Sequence, residues 1–573
     1  MGQLKKYIAP YYGFIALTLF IKLIGSVLDL MLPYLMEIML DEKVPAGEVG
    51  QIYLYGVWML LCAAGVLGFN ILANMMSAKS SGAITKKLRH DLFEKLQNLS
   101  AGQMDAVTVS SAESRLTSDT YNVNQLLARL QRIGIRAPIL LLGGIFMMLT
   151  MDLHLALVLV ALLPIIAVVV YFVTKYSVPL YTQQQTVLDK IVRVSQENIT
   201  GVRVIKALSK TDHEKARFNA VNHELADIGV RAGRISGATN PIASAVLRLG
   251  LTLVVLLGAY RINDGTMETG VIVAFLQYFT MILNAMLAVT RVFVMWSKGE
   301  ASAKRVAGIL EMPEDLQVQP ALEEVPDKAP HIEFDHVSFS YTGIGSNIQD
   351  LSFRLEKGQT LGILGPTGSG KSTILNLLLR LYDPASGTVR IDGQDIRTIP
   401  YETLREKFGI VFQNDFVTEG TIAHNIRFFR DLEPADLEKA AQAAQAEFIA
   451  QKEGGMEAEV QVRGNNLSGG QKQRLLIARA LAANPEILIL DDASSALDYA
   501  TDSALRQALR TGYRDTTTVV VAQRVSSLRH ADLILVLEDG QVIGKGNHDA
   551  LMESCEEYRI IAQTQMGEGK EAV

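Results

Sequence analysis

The chain has 573 residues, of which 49% are hydrophobic and 20% charged, and its formal net charge is −6. This length exceeds what one compact core normally spans, so we expect two or more domains. The acidic balance excludes a typical nucleic-acid-binding protein, and two cysteines, Cys62 and Cys555, cannot form a disulfide framework. The long apolar runs lie almost entirely before residue 300, which predicts a membrane half followed by a water-soluble half.

The first half contains segments that meet the requirement of a transmembrane helix for about 20 mostly apolar residues. They lie at residues 13–36, 54–76, 133–151, 155–174, 240–260 and 271–293. The first follows Lys5 and Lys6, as a secretion signal would, but it is long, contains Lys22 and Asp29, and lacks a cleavage pattern. We therefore predict a retained helix and a six-helix membrane domain over residues 1–311.

Short and long connections alternate between these segments. The long ones, Ala78–Arg132 and Lys175–Arg234, are rich in Lys and Arg, and the positive-inside tendency places them in the cytoplasm together with the N-terminus. Apolar residues three or four apart predict that both are helical, as in Ile84–Leu99 and Asp189–Ala207. We expect the membrane helices to continue as two long cytoplasmic hairpins. The alternative, a pair of soluble insertions, is disfavoured by the scarcity of Gly and Pro.

Several polar groups interrupt the apolar segments. They are Lys22, Asp29, Arg136, Arg248, Gln277, Asn284 and Arg291. An ionisable group at membrane depth is costly unless it faces protein or water, so each is a candidate for a transport pathway. Arg136 is near a helix end and can instead reach the membrane surface. For Asp29 and Arg248, the deepest by residue count, cavity lining and structural pairing are equally expected.

The composition changes after Glu311. Residues 312–330 are rich in Pro, Glu and Asp, which indicates a linker. Residues 331–573 then alternate short β-branched strands with amphipathic helices, the pattern of a parallel α/β domain.

A Gly-rich loop carries the most specific chemistry in this second half. It follows the predicted strand Thr360–Leu364 and opens the predicted helix Thr373–Leu381. Glycines let backbone N–H groups approach phosphates, the helix N-terminus adds positive potential, Lys371 supplies a charge for the β- and γ-phosphates, and Ser372 is placed for Mg²⁺. The predicted nucleotide-binding residues are Gly365, Pro366, Thr367, Gly368, Ser369, Gly370, Lys371, Ser372 and Thr373.

Two further motifs follow the Gly-rich loop along the chain. The apolar run Ile487–Leu490 ends in Asp491-Asp492, and an aspartate at the carboxyl end of such a strand is typical of the second Mg²⁺-anchoring element of nucleotidases. Between this run and the Gly-rich loop lies Leu467-Ser-Gly-Gly-Gln471, directly before the predicted helix Lys472–Ala483.

With these motifs the chain resembles the ATP-binding cassette (ABC) transporter family over residues 10–560, and its domain order resembles an exporter half-transporter. The resemblance implies that ATP and Mg²⁺ are bound, that Tyr341 stacks on adenine, and that Gln413 reaches Mg²⁺. It also implies that Ser495–Asp498 contacts the opposite subunit. Ser114–Asp119 resembles the first coupling helix, and Glu197–Val202 leads towards the second.

In this family two cassettes enclose two ATP molecules. The resemblance therefore implies that the signature residues Ser468, Gly469, Gly470 and Gln471 complete the ATP site of a partner subunit, through the N-terminus of the helix that they open. Closing and opening of this pair would switch the membrane helices between inward- and outward-facing states.

The sequence departs from the family at the two positions closest to hydrolysis. Asp492 stands where a catalytic Glu is usual, and a carboxylate retracted by about 1 Å can cost about 100-fold in rate. Gln523 stands where a His is usual, and an amide carries no positive charge. Val462, before the signature, stands where exporters usually carry Glu. With Lys371 and Ser372 intact, this pattern predicts a site that binds ATP but hydrolyses it poorly.

The leading hypothesis is a subunit of a heterodimeric exporter of amphipathic drugs or lipids, similar to bacterial multidrug exporters, in the cell membrane. Its partner would be a homologous half-transporter that carries the usual Glu and His, and the nucleotide-binding domain would be cytoplasmic. Two alternatives stay open: a homodimeric translocase of lipids or peptides, in which Asp492 is a slow base, and a membrane-bound ATP-binding regulator without transport.

Overall fold

The structure is a computed structural model that describes residues 4–313, 315–320, 328–413 and 416–566. The chain divides into two compact units. The first comprises Met1–Gln97 and Ser110–Met312, and the second comprises Asn98–Val109 and Pro313–Val573. A short segment from within residues 1–311 thus belongs to the second unit. Of the linker expected at residues 312–330, residues 314 and 321–327 lie outside the described residues.

Helices account for the regular structure described in residues 4–312. In chain order they are α1 (Lys5–Ile8), α2 (Tyr12–Ile38), α3 (Val49–Gln97), α4 (Ala101–Val107), α5 (Val109–Ser114), α6 (Thr120–Arg129), α7 (Arg136–Met151), α8 (Leu153–Thr200), α9 (Val202–Ala207), α10 (Thr211–Gly237), α11 (Thr239–Asn263) and α12 (Thr269–Leu310). An α-helix satisfies its own backbone polar groups, which is what a membrane-spanning segment needs.

The six predicted membrane spans are confirmed. Among the described residues, six helical segments are long and apolar enough to cross a membrane: Lys5–Lys43, Val49–Gln97, Val109–Met151, Leu153–Thr200, Ser244–Asn263 and Thr269–Val289. Each predicted segment lies in a different one of the helices α2, α3, α7, α8, α11 and α12. The chain is therefore a multi-span membrane protein.

Two of these helices are much longer than a bilayer requires. With 49 residues, α3 extends about 74 Å, and α8 with 48 residues is nearly as long, against about 30 Å of hydrocarbon. The predicted helical extensions are therefore present. In one, α6 lies along α3, where Asn124 donates to the Thr85 hydroxyl at 3.1 Å. In the other, α10 lies along α8, where the Asn198 amide donates to the Glu214 carboxylate at 3.0 Å.

The apolar core of the first unit is built around α12. Phe275, Tyr278 and Phe279 are fully buried there, and the Tyr278 hydroxyl donates to the backbone carbonyl of Leu30 in α2 at 2.7 Å. Burying these aromatic rings ties α12 to α2, α7 and α8.

The polar groups within the spans have different surroundings. Arg136 donates to the Asp29 carboxylate at 2.7 Å, so Asp29 forms the structural pair that was one of its two expected roles. Arg136 is thus one half of a structural ion pair, and its reach to the membrane surface stays a prediction. Arg248 is exposed and makes no ion pair among the described residues. Gln277 donates to the Met36 sulfur at 3.0 Å. The side chain of Arg291 lies outside the described part of the structure.

The second unit combines three sheets with short helices. The strands are β1 (Ile332–Phe339), β2 (Ile348–Leu355), β3 (Thr360–Leu364), β4 (Ser386–Ile391), β5 (Gln394–Asp395), β6 (Phe408–Val411), β7 (Gly420–Thr421), β8 (Glu459–Val460), β9 (Ile487–Asp491), β10 (Thr517–Val521), β11 (Leu533–Glu538) and β12 (Gln541–Gly546). The helices are α13 (Lys371–Leu378), α14 (Tyr401–Glu406), α15 (Ile422–Arg427), α16 (Pro434–Ala443), α17 (Phe448–Gln451), α18 (Gly469–Leu481), α19 (Tyr499–Gly512), α20 (Val525–Leu528), α21 (His548–Ser554) and α22 (Glu556–Met566).

The six-stranded sheet is the centre of this unit. Its order is β12-β11-β3-β10-β9-β6, and all its strands are parallel except β12. Strand β9 is buried along its whole length, as expected for a parallel strand covered on both faces. A second, antiparallel sheet has the order β2-β1-β4-β5. The predicted α/β domain with a parallel core is therefore confirmed.

The segment 98–109 corrects one prediction. Here α4 starts at a capping box formed by Ser100 and Gln103, and within the second unit the Ser100 hydroxyl donates to Asp315 at 2.7 Å. Ser114–Asp119, expected as the first coupling helix, lies instead in the first unit, where buried Asp119 accepts a 2.8 Å hydrogen bond from Arg305. That expectation was wrong, because a buried ion pair within its own unit engages Asp119.

Candidate nucleotide-binding site

The predicted site residues meet at one edge of the six-stranded sheet. Strands β3, β10, β9 and β6 are neighbours and parallel, so their carboxyl ends lie side by side. The Gly-rich loop follows β3, Gln523 follows β10, Asp491 ends β9 opposite Val521, and Gln413 follows β6. Crevices beyond the carboxyl ends of parallel strands are where open α/β sheets bind ligands.

Two positions of the Gly-rich loop accept only glycine. A Cβ atom on Gly365 would lie 2.4 Å from the Leu537 carbonyl oxygen, and one on Gly370 would lie 2.8 Å from the Asn347 carbonyl oxygen. Gly370 also has φ of 101°, in the left-handed region, immediately before α13 begins. The loop is thereby folded tightly over the helix N-terminus, so its backbone N–H groups can approach an anion closely.

Lys371 is already held over this loop. Its ammonium group donates to the carbonyl oxygens of Gly365 at 2.9 Å and Pro366 at 2.6 Å. Burial lowers the pKa of Lys371, against the opposing effect of the carboxylates of Asp491 and Asp492. The Ser369 hydroxyl is buried without a hydrogen-bond partner among the described residues. A bent Gly-rich loop, a converging cation and an unsatisfied hydroxyl fit a bound phosphate.

The two residues predicted to hold Mg²⁺ are brought together. The Ser372 hydroxyl lies 3.5 Å from the Asp491 carboxylate. Burial and then the neighbouring Asp492 raise the pKa of Asp491, while Lys371, Ser372 and the backbone of Gln413 oppose that rise. The Gln413 side chain is exposed at the same edge. Hydroxyl, carboxylate and amide oxygens are the ligands that Mg²⁺ prefers, so these residues fit a magnesium ion.

Asp492 and Gln523 lie beside this set, on adjacent strand ends. Asp492 is half-buried with φ of 50°, and its backbone N–H donates to the Val521 carbonyl at 2.9 Å. Burial raises the pKa of Asp492, while Arg524 and Lys371 lower it. Gln523 is exposed, and its backbone carbonyl accepts a 2.8 Å hydrogen bond from Gln565 in α22. The sequence contains no local signal that would have associated Gln565 with this loop.

The Tyr341 side chain packs against the first turns of α13, next to the Gly-rich loop. Its ring is 43% exposed, its hydroxyl lies 3.4 Å from that of Thr373, and Asn376 donates to it at 2.9 Å. An exposed ring in this position can stack on a base. Tyr382, which we did not predict, packs edge-to-face on Tyr341 with ring centroids 5.0 Å apart, and its hydroxyl donates to Asp105 in α4. Tyr382 therefore connects the aromatic position to the segment 98–109.

The signature residues form the exposed N-terminus of α18. Ser468 caps the helix: its hydroxyl accepts from the Gln471 N–H at 3.3 Å, and the Gln471 side chain accepts from the Ser468 N–H at 3.1 Å. Ser468 and Gly469 are exposed, and Gly470 is half-buried. One turn on, the Gln473 amide donates to the Asp492 carbonyl at 3.3 Å and accepts from the Ala496 N–H at 3.0 Å. The sequence did not predict this link.

A Gly-rich loop between a parallel strand and a helix, with Lys371, Ser372 and Asp491 converging on it, defines a P-loop nucleoside triphosphatase. Here it is fused to a six-span membrane unit. Residues 15–286 match the ABC transporter transmembrane region, and residues 348–495 match the ABC transporter domain. The chain belongs to the ABC transporter family.

Relatives match the chain along its whole length. It is 32% identical over 100% of both chains to YfiB, an uncharacterized ABC transporter ATP-binding protein of Bacillus subtilis. It is 31% identical to a fatty acid ABC transporter ATP-binding/permease protein of Mycobacterium bovis, over 87% of this chain and 78% of that one. The solved structure of a bacterial Atm1-family ABC exporter with ATP bound matches with a TM-score of 0.81 and 25% identity, over 99% and 100% of the two chains. The chain is thus an exporter half-transporter that binds ATP and couples its hydrolysis to transport.

Proposed function

We propose that this chain is one subunit of a heterodimeric exporter with two unequal ATP sites. Its own Gly-rich loop binds ATP with Mg²⁺ and hydrolyses it slowly. Its signature residues, Ser468 to Gln471, complete the second site, whose Gly-rich loop belongs to a homologous half-transporter that carries the usual Glu and His. Transport by the complex is then driven mainly by hydrolysis at that second site.

The observation that supports this proposal is a contrast between two sets of side chains at the same edge of the six-stranded sheet. Lys371, Ser372 and Asp491 are in place to bind a nucleotide, whereas the two groups beside them are a shortened carboxylate, Asp492, and a neutral amide, Gln523. A base misplaced by about 1 Å can cost about 100-fold in rate. A glutamine can hydrogen-bond a γ-phosphate but contributes no positive charge to it.

The residues of this chain have separate roles in the proposed site. Lys371 and the loop N–H groups bind the phosphates, Tyr341 stacks on the adenine, and Ser372, Gln413 and Asp491 hold Mg²⁺. When bound, Mg²⁺ neutralises charge on the β- and γ-phosphates. Asp492 orients water weakly because its side chain is short. ATP bound here acts mainly to keep the two nucleotide-binding units closed.

The transported compounds are amphipathic drugs or lipids. The apolar spans with embedded polar groups and the relative named for fatty acid transport support a lipid-like substrate. The excess of Lys and Arg in the long connections supports a cytoplasmic location for the N-terminus and the nucleotide-binding unit. The bacterial relatives support a location in a bacterial cell membrane.

The nucleotide left in each site tests the proposal. The tagged chain is purified alone and together with the half-transporter that accompanies it, and both preparations are supplied with labelled, photoreactive ATP. We expect negligible hydrolysis by the chain alone, rapid hydrolysis by the complex, and uncleaved ATP crosslinked to this chain. ADP appearing promptly in this chain's own site would contradict the proposal.

The same experiment separates the two alternatives. A homodimeric translocase of lipids or peptides would hydrolyse ATP at an ordinary transporter rate without a second subunit, and Asp492→Asn would abolish that rate. A regulator would bind ATP, but its complex would move no amphipathic dye across reconstituted vesicles.

A further inference from the structure

A cavity in the first unit has positively charged side chains along one side. Its volume is about 560 Å³, within the range of about 300–1,000 Å³ that is usual for small-molecule sites. Its charged lining residues are Lys22, Asp29, Arg129, Arg132 and Arg136. They come from α2, α6, the turn after α6 and the start of α7. Four positive side chains thus share the cavity with one carboxylate.

Only one of these four cations is paired with a carboxylate among the described residues. Arg136 donates to Asp29 at 2.7 Å. The Lys22 ammonium is buried and donates to the neutral side-chain amides of Asn70 at 2.6 Å and Asn74 at 3.3 Å. Neutral amides satisfy its hydrogen bonds but leave its charge uncompensated.

Arg132 and Arg129 have no carboxylate partner in the described part of the chain. The Nε atom of Arg132 is buried and makes no hydrogen bond there, and the Nε atom of Arg136 is in the same state. Arg132 is half-buried and Arg129 is exposed, and a positive charge without a counter-charge is costly to the extent that it is buried. An anion in the cavity would compensate three cations and supply acceptors for unsatisfied guanidinium groups.

The remaining wall of the cavity is mainly apolar and is interrupted by Asn74 and Asn284. Leu140 of α7 and Met281 and Ala285 of α12 line it, and Leu140 and Ala285 are buried. A flexible methionine and small alanines can adapt to an alkyl chain. The cavity therefore offers a cationic side and an apolar side to the same ligand.

We propose that this cavity binds a single-chain amphiphile with an anionic headgroup, with the headgroup at Lys22 and Arg132 and the alkyl chain along α12. This inference rests on the proposed export of amphipathic compounds and narrows their class to anionic ones. A carboxylate or a phosphate headgroup satisfies the same donors.

Binding of radiolabelled oleate to the co-purified complex tests this inference. We expect Arg132→Gln to weaken oleate binding at least about tenfold, because a charge-assisted contact is lost, and Arg132→Lys to retain most of it. Arg231→Gln is the matched control, since Arg231 is an exposed arginine of the same unit that does not line the cavity, and we expect unchanged binding. Should Arg132→Gln fail to fold, Lys22→Gln provides the same comparison.

Competition by other compounds identifies the ligand chemistry. We expect lysophosphatidate to displace oleate, and oleyl alcohol, oleylamine and acetate to displace it much less. Equal displacement by oleylamine, or oleate binding that is unaffected by Arg132→Gln and Lys22→Gln, would overturn the inference. Displacement by acetate at the same concentration would show that the cavity binds free anions without an alkyl chain. That result would also overturn the inference.

Nucleotide retention in the same preparations keeps the two proposals separable. If ATP stays uncleaved on this chain but Arg132→Gln and Lys22→Gln leave oleate binding unchanged, only the cavity inference fails. If both sites cleave ATP equally while oleate binding still depends on Arg132, the scheme of unequal sites fails alone.

Discussion

The loop after β3 and the loops after β9 and β10 contribute to the same nucleotide site in different ways. The first has tight glycine positions, a converging Lys371 and a helix N-terminus, all of which serve binding. The other two hold Asp492 and Gln523 by backbone hydrogen bonds to Val521 and Gln565. The backbone of both positions is thus held in place, and the proposed weakness of hydrolysis rests on the side chains of Asp492 and Gln523 alone. Binding and cleavage should therefore be separable by substitution.

The largest expected effect concerns the signature helix. Gly469→Asp should reduce ATP hydrolysis by the complex at least about 100-fold, because it places a negative charge where the partner's γ-phosphate is expected. The fold should tolerate the substitution, since a Cβ atom on Gly469 meets only Ala496, at 3.8 Å. Steady-state phosphate release measures the effect.

Gly469→Ala is the control for this prediction. It adds the same Cβ atom without the charge, and we expect most of the activity to remain. Equal activity of Gly469→Asp and the unmodified complex would mean that this signature does not serve the hydrolytic site.

Restoring the usual side chains should produce the next largest effect. Asp492→Glu with Gln523→His should increase cleavage in this chain's own site by about 10- to 100-fold, because the carboxylate regains about 1 Å of reach. The measurement is ADP formed in that site, in a complex whose partner lacks its catalytic Glu. The single substitutions serve as controls, and an unchanged rate in the double variant would show that another feature limits cleavage.

A smaller effect is expected on nucleotide affinity. Tyr341→Ala should raise the Kd for ATP by about 5- to 10-fold, the equivalent of about 1–1.5 kcal/mol of aromatic stacking. Tyr341→Phe keeps the ring and loses the hydrogen bond from Asn376, so its Kd should change little. Fluorescence titration with a labelled ATP analogue measures both, and a similar loss in both variants would contradict stacking.

The smallest effect is expected from Asp492→Asn in the complex, less than about twofold in turnover. The pH profile sharpens this prediction. Because burial raises the pKa of Asp492, an Asp492 base would lose activity as the pH falls through that raised value. We expect the turnover of the complex to fall at low pH in the same way with and without Asp492→Asn. An acidic limb that disappears in the variant would make Asp492 the working base.

Local patterns carried most of the sequence predictions. The six spans are long, mostly apolar segments, and the loop around Lys371 is a contiguous motif with a strand before it and a helix after it. Asp491 was identified because a buried strand ends there. Each of these signals is contained in about 20 residues or fewer, so no knowledge of distant contacts was needed.

The parts that were missed depend on contacts between distant residues. Tyr382 meets Asp105 across 277 positions of sequence, and Gln565 meets Gln523 across 42. The segment 98–109 was overlooked, although Ser100 and Gln103 form a capping box that marks the start of α4. Similarly, the pairing of Asp29 with Arg136 spans 107 positions, and neither residue alone indicates the other.

The side chain of Gln473 has a consequence for communication between the two ATP molecules. Its single amide spans two places in one loop, the Asp492 carbonyl and the Ala496 N–H, while its helix begins at the signature residues. Because one planar amide makes both bonds, and also donates to the Ser495 hydroxyl at 3.3 Å, we expect a tilt of α18 to disturb them together. In the proposed complex, this link would let the loop beside Asp492 respond when the partner's ATP binds to the signature residues and when its phosphate leaves.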